Sequence, residues 1–560
     1  MMSEHNFLRI MDDAVYRQWI SEYDELTHEE SSRLEAALAS VSLRPSIGVV
    51  PVVLGPSDPQ KLHAFTQRLN AQAYSNWRVH WENDGAQAIV TAAMGNDFIL
   101  PLPLDAILDR HALAHFILAL AEVPDADLVY ADEDLLIDGK RSKPQFKTDW
   151  DRYFILGKNS VGVPALYRSE TILRLGASAL SINTVDNFLH DLTLRVSAAT
   201  SSARIHHMPL VLCHRTEASD WSGAEAARIV HKHLAALGDG AAEVSPAPIA
   251  PQFNRVRFPL PPKAPRVSII IPTRDRADLI GPCVDGILTR TDYPSIELII
   301  VDNGTTAPDA LSILERAKLN PCVRMLRDDG PFNFSRLTNA AAKIATGEIL
   351  LLLNNDTDVI HSDWLMELAS LASRPDIGVV GARLLYPDFR VQHAGVCFGK
   401  DKEIYHQMRL APRWEAGAGG ELALLRSAWA VTGACLAVRK RLFFDVGGLN
   451  EEDFSVTFND IDLCRKIARK DLAILCTPFA ELLHFESVSR GLSITPEKAK
   501  QENFESMLFW SRHSGMYEQP DPFYNPQIEY KRDCVDFARP PRPNRFRPEF
   551  RARRPEPFFY

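Results

Sequence analysis

The sequence predicts an α/β protein: two tandem copies of one plan, each built around a mostly parallel central sheet. Three observations carry that reading. Short apolar runs such as "RVSIIIPT" and "IELIIVDNG" alternate with helical stretches, the pattern of strands covered on both faces. The runs repeat: "SIGVVPVVL" then "AYSNWRVHWENDG", and later "VSIIIPTRD" then "DYPSIELIIVDNGT", with Tyr74 to Gly85 spaced as Tyr293 to Gly304. Each copy then has another apolar run that ends in acid, "DFILPLPLD" and "EILLLLNND".

The elements follow in chain order. A chain of 560 residues is too long for one ordinary domain. Residues 1–44 have helical periodicity, with Leu34, Leu38 and Val41 on one face. The first copy is expected over 45–225. A helix, "AEAARIVHKHLAALG", and the Pro-rich segment "SPAPIAPQFNRVRFPLPPKAP" form a linker over 226–264. The second copy is expected over 265–500, and 501–560 is an extension with a Pro/Arg-rich tail.

Composition excludes several classes. A net charge of −10 argues against a broad nucleic-acid-binding surface. No apolar stretch is long enough to span a bilayer, and "MMSEHNFLRIMDDAVYRQWI" lacks a signal peptide's layout. Eight cysteines without a CxxC pair suit reduced thiols in a cytosolic protein, not a disulfide framework or a zinc site.

In parallel sheets ligands bind beyond the carboxyl ends of the strands, where the second copy gathers its polar residues. Pro272, Thr273, Arg274 and Asp275 close one strand; Asp302, Asn303 and Gly304 close the next. Such a carboxylate can accept hydrogen bonds from a base or ribose, or simply make an Asx turn. Asp356 and Asp358 follow "LLLNN" and could hold a divalent cation that binds phosphate, or form a solvated turn. Asp460 and Asp462 open an amphipathic helix, as caps or with one as a general base. "AELLHFESVSRG" adds His484, a structural histidine or a metal ligand, and Arg490, a bidentate phosphate binder.

Together, "PTRDR", "VDNGT", "GPFNFSRLTNAA", "LLLNNDTDVIHSDWL", "VQHAGV", "VTGACLAVRK", "GGLNEEDFSVTFNDIDLCRK" and "HFESVSRG" resemble glycosyltransferase family 2, enzymes of the GT-A fold. The resemblance covers about residues 265–491 and is nearest the bacterial branch that builds O-antigen and capsule, rhamnosyltransferases included. It implies a nucleotide-sugar donor, Mg²⁺ or Mn²⁺, and a glycan or lipid-linked oligosaccharide acceptor. It implies nucleoside binding by Pro272, Thr273, Arg274, Asp302 and Asn303, and metal binding by Asp356 and His484, with Asp358 ranked behind them. Asn354 stands at the first position of the D-x-D motif. Thr432 and Gly433 shape the sugar pocket, Asp460 is the base of an inverting displacement, and Arg490 closes on the diphosphate. Asn333, Ser335 and His393 read as structural.

Aligned on "NDFILPLPLD" and "GEILLLLNND", the first copy puts Asp105 opposite Asp356. "FLHDLTLR" against "NDIDLCRK" puts Leu189 opposite Asp460; His214 then lies 25 residues beyond Leu189 and His484 24 beyond Asp460, so the histidine is expected to be kept where the base is missing. Leucine cannot be a base, so the first copy is expected to be a degenerate GT-A-like domain. Its acidic cluster Asp132, Glu133 and Asp134 reads as a residual site or a solvated loop. The tail arginines Arg539, Arg542, Arg545, Arg547, Arg551, Arg553 and Arg554 suit either peripheral contact with an anionic membrane face or a solubilising end. The expected location is the cytoplasm, at the inner face of the plasma membrane if the tail binds lipid. A sugar nucleotidyltransferase and a non-catalytic glycan-binding scaffold are the competing readings.

Overall fold

The computed structural model describes residues 12–53, 58–82, 85–176, 184–218, 221, 223–398, 404–417, 419–485, 496–513, 521–531 and 534–542. The first sheet contains β1 (Ile47–Val52), β2 (Trp77–Val79), β3 (Phe98–Pro103), β4 (Ile107–Leu108), β5 (Leu128–Ile137), β6 (Lys140–Gln145), β7 (Ala165–Arg168) and β8 (Ile205–Arg215). Their order is β2-β1-β3-β7-β5-β8-β4, with β6 on β5. β9 (Glu243–Pro246) and β10 (Asn254–Arg257) form a hairpin.

The second sheet uses β11 (Val267–Thr273), β12 (Ile296–Asp302), β13 (Val323–Arg327), β14 (Ile349–Leu353), β15 (Thr357–Val359), β16 (Ile377–Leu385) and β17 (Val391–His393). β18 (Val396–Phe398) and β19 (Ile404–His406) pair outside it; β20 (Arg426–Ser427), β21 (Cys435–Arg439) and β22 (Ala473–His484) complete it. The order is β13-β12-β11-β14-β21-β16-β22-β15. β23 (Ile528–Lys531) and β24 (Cys534–Phe537) form a last hairpin.

Leaving out β13, the two sheets share one order and one set of directions. β2-β1-β3 and β12-β11-β14 are parallel; β7 and β21 run antiparallel to both neighbours; β5-β8 and β16-β22 are parallel; β4 and β15 are antiparallel edges. Each sheet is therefore mixed: parallel where short apolar runs follow one another through helices, antiparallel where β7 or β21 is inserted.

The apolar runs are buried because helices cover both faces. Every residue of β1, β3, β11, β14 and β16 is buried. Burying each leucine of Leu350–Leu353 contributes on the order of 1.5–3 kcal/mol. This fixes β14 in the middle of the sheet and leaves the polar residues after Leu353 at its carboxyl end.

Two segments depart from the sequence reading. The Pro-rich stretch expected as a linker is ordered: Ala247 N–H donates to the Phe253 carbonyl at 2.8 Å, and Ala247 and Ala250 pack with Phe154, Ala423 and Leu424. Small and aromatic residues among its prolines supply the burial that a linker lacks. The boundary at 500 falls inside the helix Pro496–Arg512, whose Phe509 is fully buried.

The halves are joined by polar contacts. Buried Asp151 accepts from Ser427 N–H at 2.6 Å, and the Tyr153 hydroxyl donates to Asp376 at 2.5 Å. Arg374 grips Asp239 with two bonds of 2.8 Å. At the termini, Tyr16, Trp19 and Phe537 pack together, and Trp19 Nε1 donates to the Ala538 carbonyl at 3.0 Å. Among the described residues no helix is long and apolar enough to cross a membrane.

Candidate functional site

β14 delivers its chain to the carboxyl edge, and the backbone turns at Asn355 and Asp356 before β15 begins. β15 pairs antiparallel with β22, with Thr357 opposite His484, so Asp356 and His484 meet across two strand ends. His484 Nε2 lies 3.2 Å from Asp356 Oδ1. Both side chains are buried. Asn354 Nδ2 approaches the same Nε2 at 3.3 Å.

The other ring nitrogen sets the chemistry. His484 Nδ1 lies 3.1 Å from Gln392 Oε1, an oxygen that can only accept. Nδ1 therefore carries a hydrogen. When the ring is neutral, the Nε2 lone pair faces the carboxylate, and the two atoms can bind one cation together. Imidazole nitrogen and carboxylate oxygen are both ligands for a divalent metal, and the Gln392 contact is the kind that orients a metal-bound histidine. The pair fits the expected ion; among the described residues no cluster of three or more His, Cys, Asp or Glu adds to it. Further ligands would come from phosphate oxygens and water.

Asp358 does not join them. Its carboxylate pairs with Arg290 instead. Arg490 lies outside the described residues.

Asp460 opens the helix Asn459–Ala468. Its Oδ2 accepts from Gly433 N–H at 2.7 Å and its Oδ1 from its neighbour Ile461 N–H at 2.8 Å. A Cβ at position 433 would lie 3.3 Å from the Asp460 Cβ, so glycine is what lets the chain approach this carboxylate. Asn354 N–H donates to the Ala434 carbonyl at 3.1 Å, one residue from Gly433. A short run of bonds thus links Asp356, His484 and Asn354 to Asp460.

Thr432 is held by His393, whose Nε2 accepts from Thr432 N–H at 3.4 Å and Gly395 N–H at 3.3 Å. Burial, reinforced by the charges of His406, Arg426 and His484, pushes the His393 pKa well below the usual range and keeps its Nε2 an acceptor. Gln392 and His393 are neighbours on β17, so one strand braces both halves of the site. Asn333 caps the helix Phe334–Ile344 and donates to the Glu451 carbonyl at 2.8 Å, while Ser335 bonds the Phe454 carbonyl. Both hold the loop that leads to Asp460, a structural role.

The strand ends on the other side form a second polar group. Asp302 Oδ1 accepts from Thr305 N–H at 2.8 Å and Oδ2 from Arg327 at 2.5 Å. Burial works against its charge, but these bonds outweigh it and hold the carboxyl below its usual range. Asn303 Nδ2 donates to the Asp328 and Gly330 carbonyls, both at 2.9 Å, and its buried Oδ1 has no hydrogen-bond partner among the described residues. Thr273 Oγ1 accepts from Asn355 at 2.9 Å, Pro272 is buried within β11, and Arg274 is exposed. Asp275 and Arg276 take left-handed backbone conformations, and Asp275 accepts from Thr306 and Ala307 N–H, both at 2.8 Å. That turn ties the first two strand ends together.

Sequence reasoning missed Gln392, Arg327 and Arg290. Gln392 lay inside the quoted "VQHAGV", but only pairing of β17 brings it to His484. Arg327 ends β13 with no motif around it.

The first sheet differs at the matching places. Asp132 is fully buried and accepts from His207 at 2.8 Å and Asn525 at 2.9 Å; Asp134 accepts from the Tyr16 hydroxyl at 2.8 Å and Arg141 at 2.6 Å. Glu133 pairs with Lys147 at 3.1 Å. The acidic cluster is thus neither a solvated loop nor an open site: the chain's own donors occupy it. Arg542 stacks on Tyr524, 3.6 Å from the ring centroid, and bonds the Tyr524 and Asn525 carbonyls, so it is no free tail charge. Arg545, Arg547, Arg551, Arg553 and Arg554 lie outside the described residues.

Comparison with known proteins places the sequence beside a known family. Residues 268–415 match the model of "Glycosyl transferase family 2". An uncharacterized protein of Sinorhizobium fredii, y4gI, is 33% identical over 94% of this chain and 62% of its own length. The O-antigen biosynthesis protein RfbC of Myxococcus xanthus is 37% identical over 78% of this chain and 34% of its own. The chain thus spans less than two thirds of either relative. A solved mannosyltransferase of Pyrobaculum calidifontis, in complex with GDP-Man and Mn²⁺, is 21% identical with a TM-score of 0.35, over 45% of this chain and 66% of that one. Residues 268–415, which include Thr273, Asp302 and Asp356, thus carry a glycosyl transferase family 2 domain; Asp460 and His484 lie beyond the match.

Proposed function

We propose that the chain is a metal-dependent, inverting glycosyltransferase that moves a sugar from a nucleotide-sugar donor to a glycan or lipid-linked glycan during surface-polysaccharide synthesis. The observation that carries this is the bonded run from the Asp356–His484 pair to Asp460. It sets a cation-binding pair and a backbone-held carboxylate side by side at one sheet edge. The family match and the likeness to an O-antigen biosynthesis protein support the reaction class.

In this reading Asp356 and His484 hold Mg²⁺ or Mn²⁺, which when bound takes up charge on the departing diphosphate. Asp302, Asn303 and Thr273 line the nucleoside side; the buried Asn303 Oδ1, without a partner among the described residues, is an acceptor in place there. Asp460 accepts the proton of the attacking hydroxyl. Its two backbone N–H bonds fix the carboxylate's direction, so it need not reorganise as it takes the proton. The first sheet, with Leu189 buried in the helix Val185–Ala198, is a degenerate GT-A-like copy that supports the second.

The test is release of nucleoside diphosphate with Mn²⁺ and a panel of UDP-, dTDP- and GDP-sugars. Asp460→Asn keeps the shape and removes the base, and should lower turnover by about 10²–10⁴-fold. Near-normal turnover by that variant would sink the assignment.

A further inference from the structure

Register, rather than residue counting, shows what replaces His484 in the first sheet. The two sheets can be matched at fixed points. The Tyr74 hydroxyl donates to the Pro45 carbonyl at 2.6 Å, as Tyr293 does to Pro265 at 2.7 Å. Ser46 N–H donates to Asp97 at 2.7 Å, as Arg266 N–H does to Glu348 at 3.0 Å. Ile47 then answers to Val267, and their partners Phe98 and Ile349 answer to each other. Seven residues on stand Asp105 and Asp356.

Ile107 and Asp358 each lie two residues further, and they pair with His214 and Leu483. The neighbouring strands agree: Asp134 pairs with His214 as Leu385 pairs with Leu483. His214 therefore answers to Leu483, and Arg215 to His484. His214 is turned instead to Asp134, its Nδ1 2.5 Å from Oδ1.

Arg215 meets Asp105 as His484 meets Asp356. Its Nε and Nη2 lie 3.3 and 3.4 Å from the two Asp105 oxygens, and its Nη1 lies 3.0 and 3.3 Å from those of Asp186. Asp186 sits on the first turn of the helix Val185–Ala198, one turn before Leu189. Thr216 and Glu217 N–H donate to Asp105 Oδ2 at 3.1 and 3.0 Å. All three charged side chains are at most 11% exposed.

We propose that the Arg215 guanidinium is a permanent stand-in for the cation in the first sheet, so that this sheet takes no divalent ion and the chain binds one rather than two. A guanidinium keeps its charge at any working pH, and its planar fork satisfies two carboxylates at once. A metal approaching Asp105 would meet that fixed positive charge and a carboxylate already accepting four donors. The single remaining site is the Asp356–His484 pair, so the count of one rests on the proposed function; the exclusion at Asp105 does not.

Mn²⁺ bound per full-length chain, read by loss of the free-ion paramagnetic resonance signal, tests this. Wild type should bind one ion, Asp356→Asn none, and Arg215→Lys, which keeps the charge, one. Arg215→His should gain an ion that is lost again when Asp105→Asn is added. Two ions in wild type, one surviving Asp356→Asn, would overturn the inference and leave the proposed function standing. No ion in wild type but one in Arg215→His would support the inference and sink the metal reading of Asp356. No gain in Arg215→His overturns it. Should that variant lose its cooperative melt, Arg215→Gln carries the same readout.

Discussion

Gly433→Ala tests whether Asp460 acts from the position the structure gives it. Gly433 does not use a left-handed backbone conformation, so alanine brings no strain of its own. The added Cβ would stand 3.3 Å from the Asp460 Cβ, closer than most real contacts, and 3.6 Å from Oδ2, an ordinary contact, so the Asp460 side chain must yield by a few tenths of an ångström at its Cβ and carry the carboxylate with it. A misplacement of about 1 Å can cost about 10²-fold, so a shift of roughly 0.3 Å should cost about 4-fold. Overpacking should lower stability by no more than about 1–3 kcal/mol. The assay is steady-state release of nucleoside diphosphate, alongside Mn²⁺ titration and a thermal melt. The expected result is a kcat lowered about 4-fold with Mn²⁺ affinity and donor KM unchanged. A kcat equal to wild type, or a loss confined to Mn²⁺ affinity, would refute the reasoning, because the clash touches Asp460 and not the metal pair.

Three further outcomes follow from named contacts. Gln392→Leu removes the acceptor of His484 Nδ1–H and should weaken Mn²⁺ about 10–100-fold, while Gln392→Glu, which can still accept, should recover most of it; equal losses in both would deny Gln392 this role. Asp358→Asn should leave Mn²⁺ affinity within about twofold and change stability by about 0–1 kcal/mol, since its partner is the half-exposed Arg290; a tenfold weaker affinity would return Asp358 to the ligand set. For Glu297, burial opposes the charge, but bonds from Ser268 at 2.5 Å, Thr346 N–H at 2.8 Å and Arg324 at 2.9 Å outweigh it and lower the pKa to about 2. A depressed carboxylate adds stability above its unfolded pKa of about 4.5 and loses it as pH falls towards 2. Glu297→Gln should therefore melt below wild type at neutral pH, with the gap closing over that range; a gap constant down to pH 2 would contradict it.

Much of the site was legible because it lies on continuous signals. An apolar run that ends in acids marks a buried strand reaching a sheet edge, so Asp302 and Asp356 were placed by hydrophobicity alone. Asp460 followed from a helix start after a glycine-rich loop. Spacing could not show direction: nothing in "TDVI" tells that Asp358 turns to Arg290 while Asp356 turns to His484. Nor could it show partners that come from remote strands, as Gln392 does from β17. The proline-rich segment failed for a different reason, since its burial depends on Phe154 and Leu424, which lie far off in the chain.

His214 shows how a near-equal count can reach the wrong residue. It lies 25 residues beyond Leu189, against 24 from Asp460 to His484, whereas the register sets Arg215, 26 beyond Leu189, in that place. The ladder between β5 and β8 shifts register at Ala131–Asp132 and again at Asp132–Glu133, and that between β16 and β22 shifts at Ile377–Val379 and Ala382–Arg383. The net shift is the same in both, from Leu128 opposite Ile205 to Asp134 opposite His214 and from Val379 opposite Ile474 to Leu385 opposite Leu483, so the copies differ not within these strands but before them, between the helix and β8. A one-residue slip also exchanges the two faces of a strand, which is why His214 turns to Asp134 and Arg215 to Asp105. The helix lengthened by a turn then supplies Asp186, the second carboxylate a guanidinium needs. Loss of the base at Leu189 and replacement of the cation by Arg215 thus share one structural origin, the altered junction between this helix and β8, and each makes the other tolerable: a sheet with no base has no use for a metal, and a buried acid with no metal needs a fixed charge beside it.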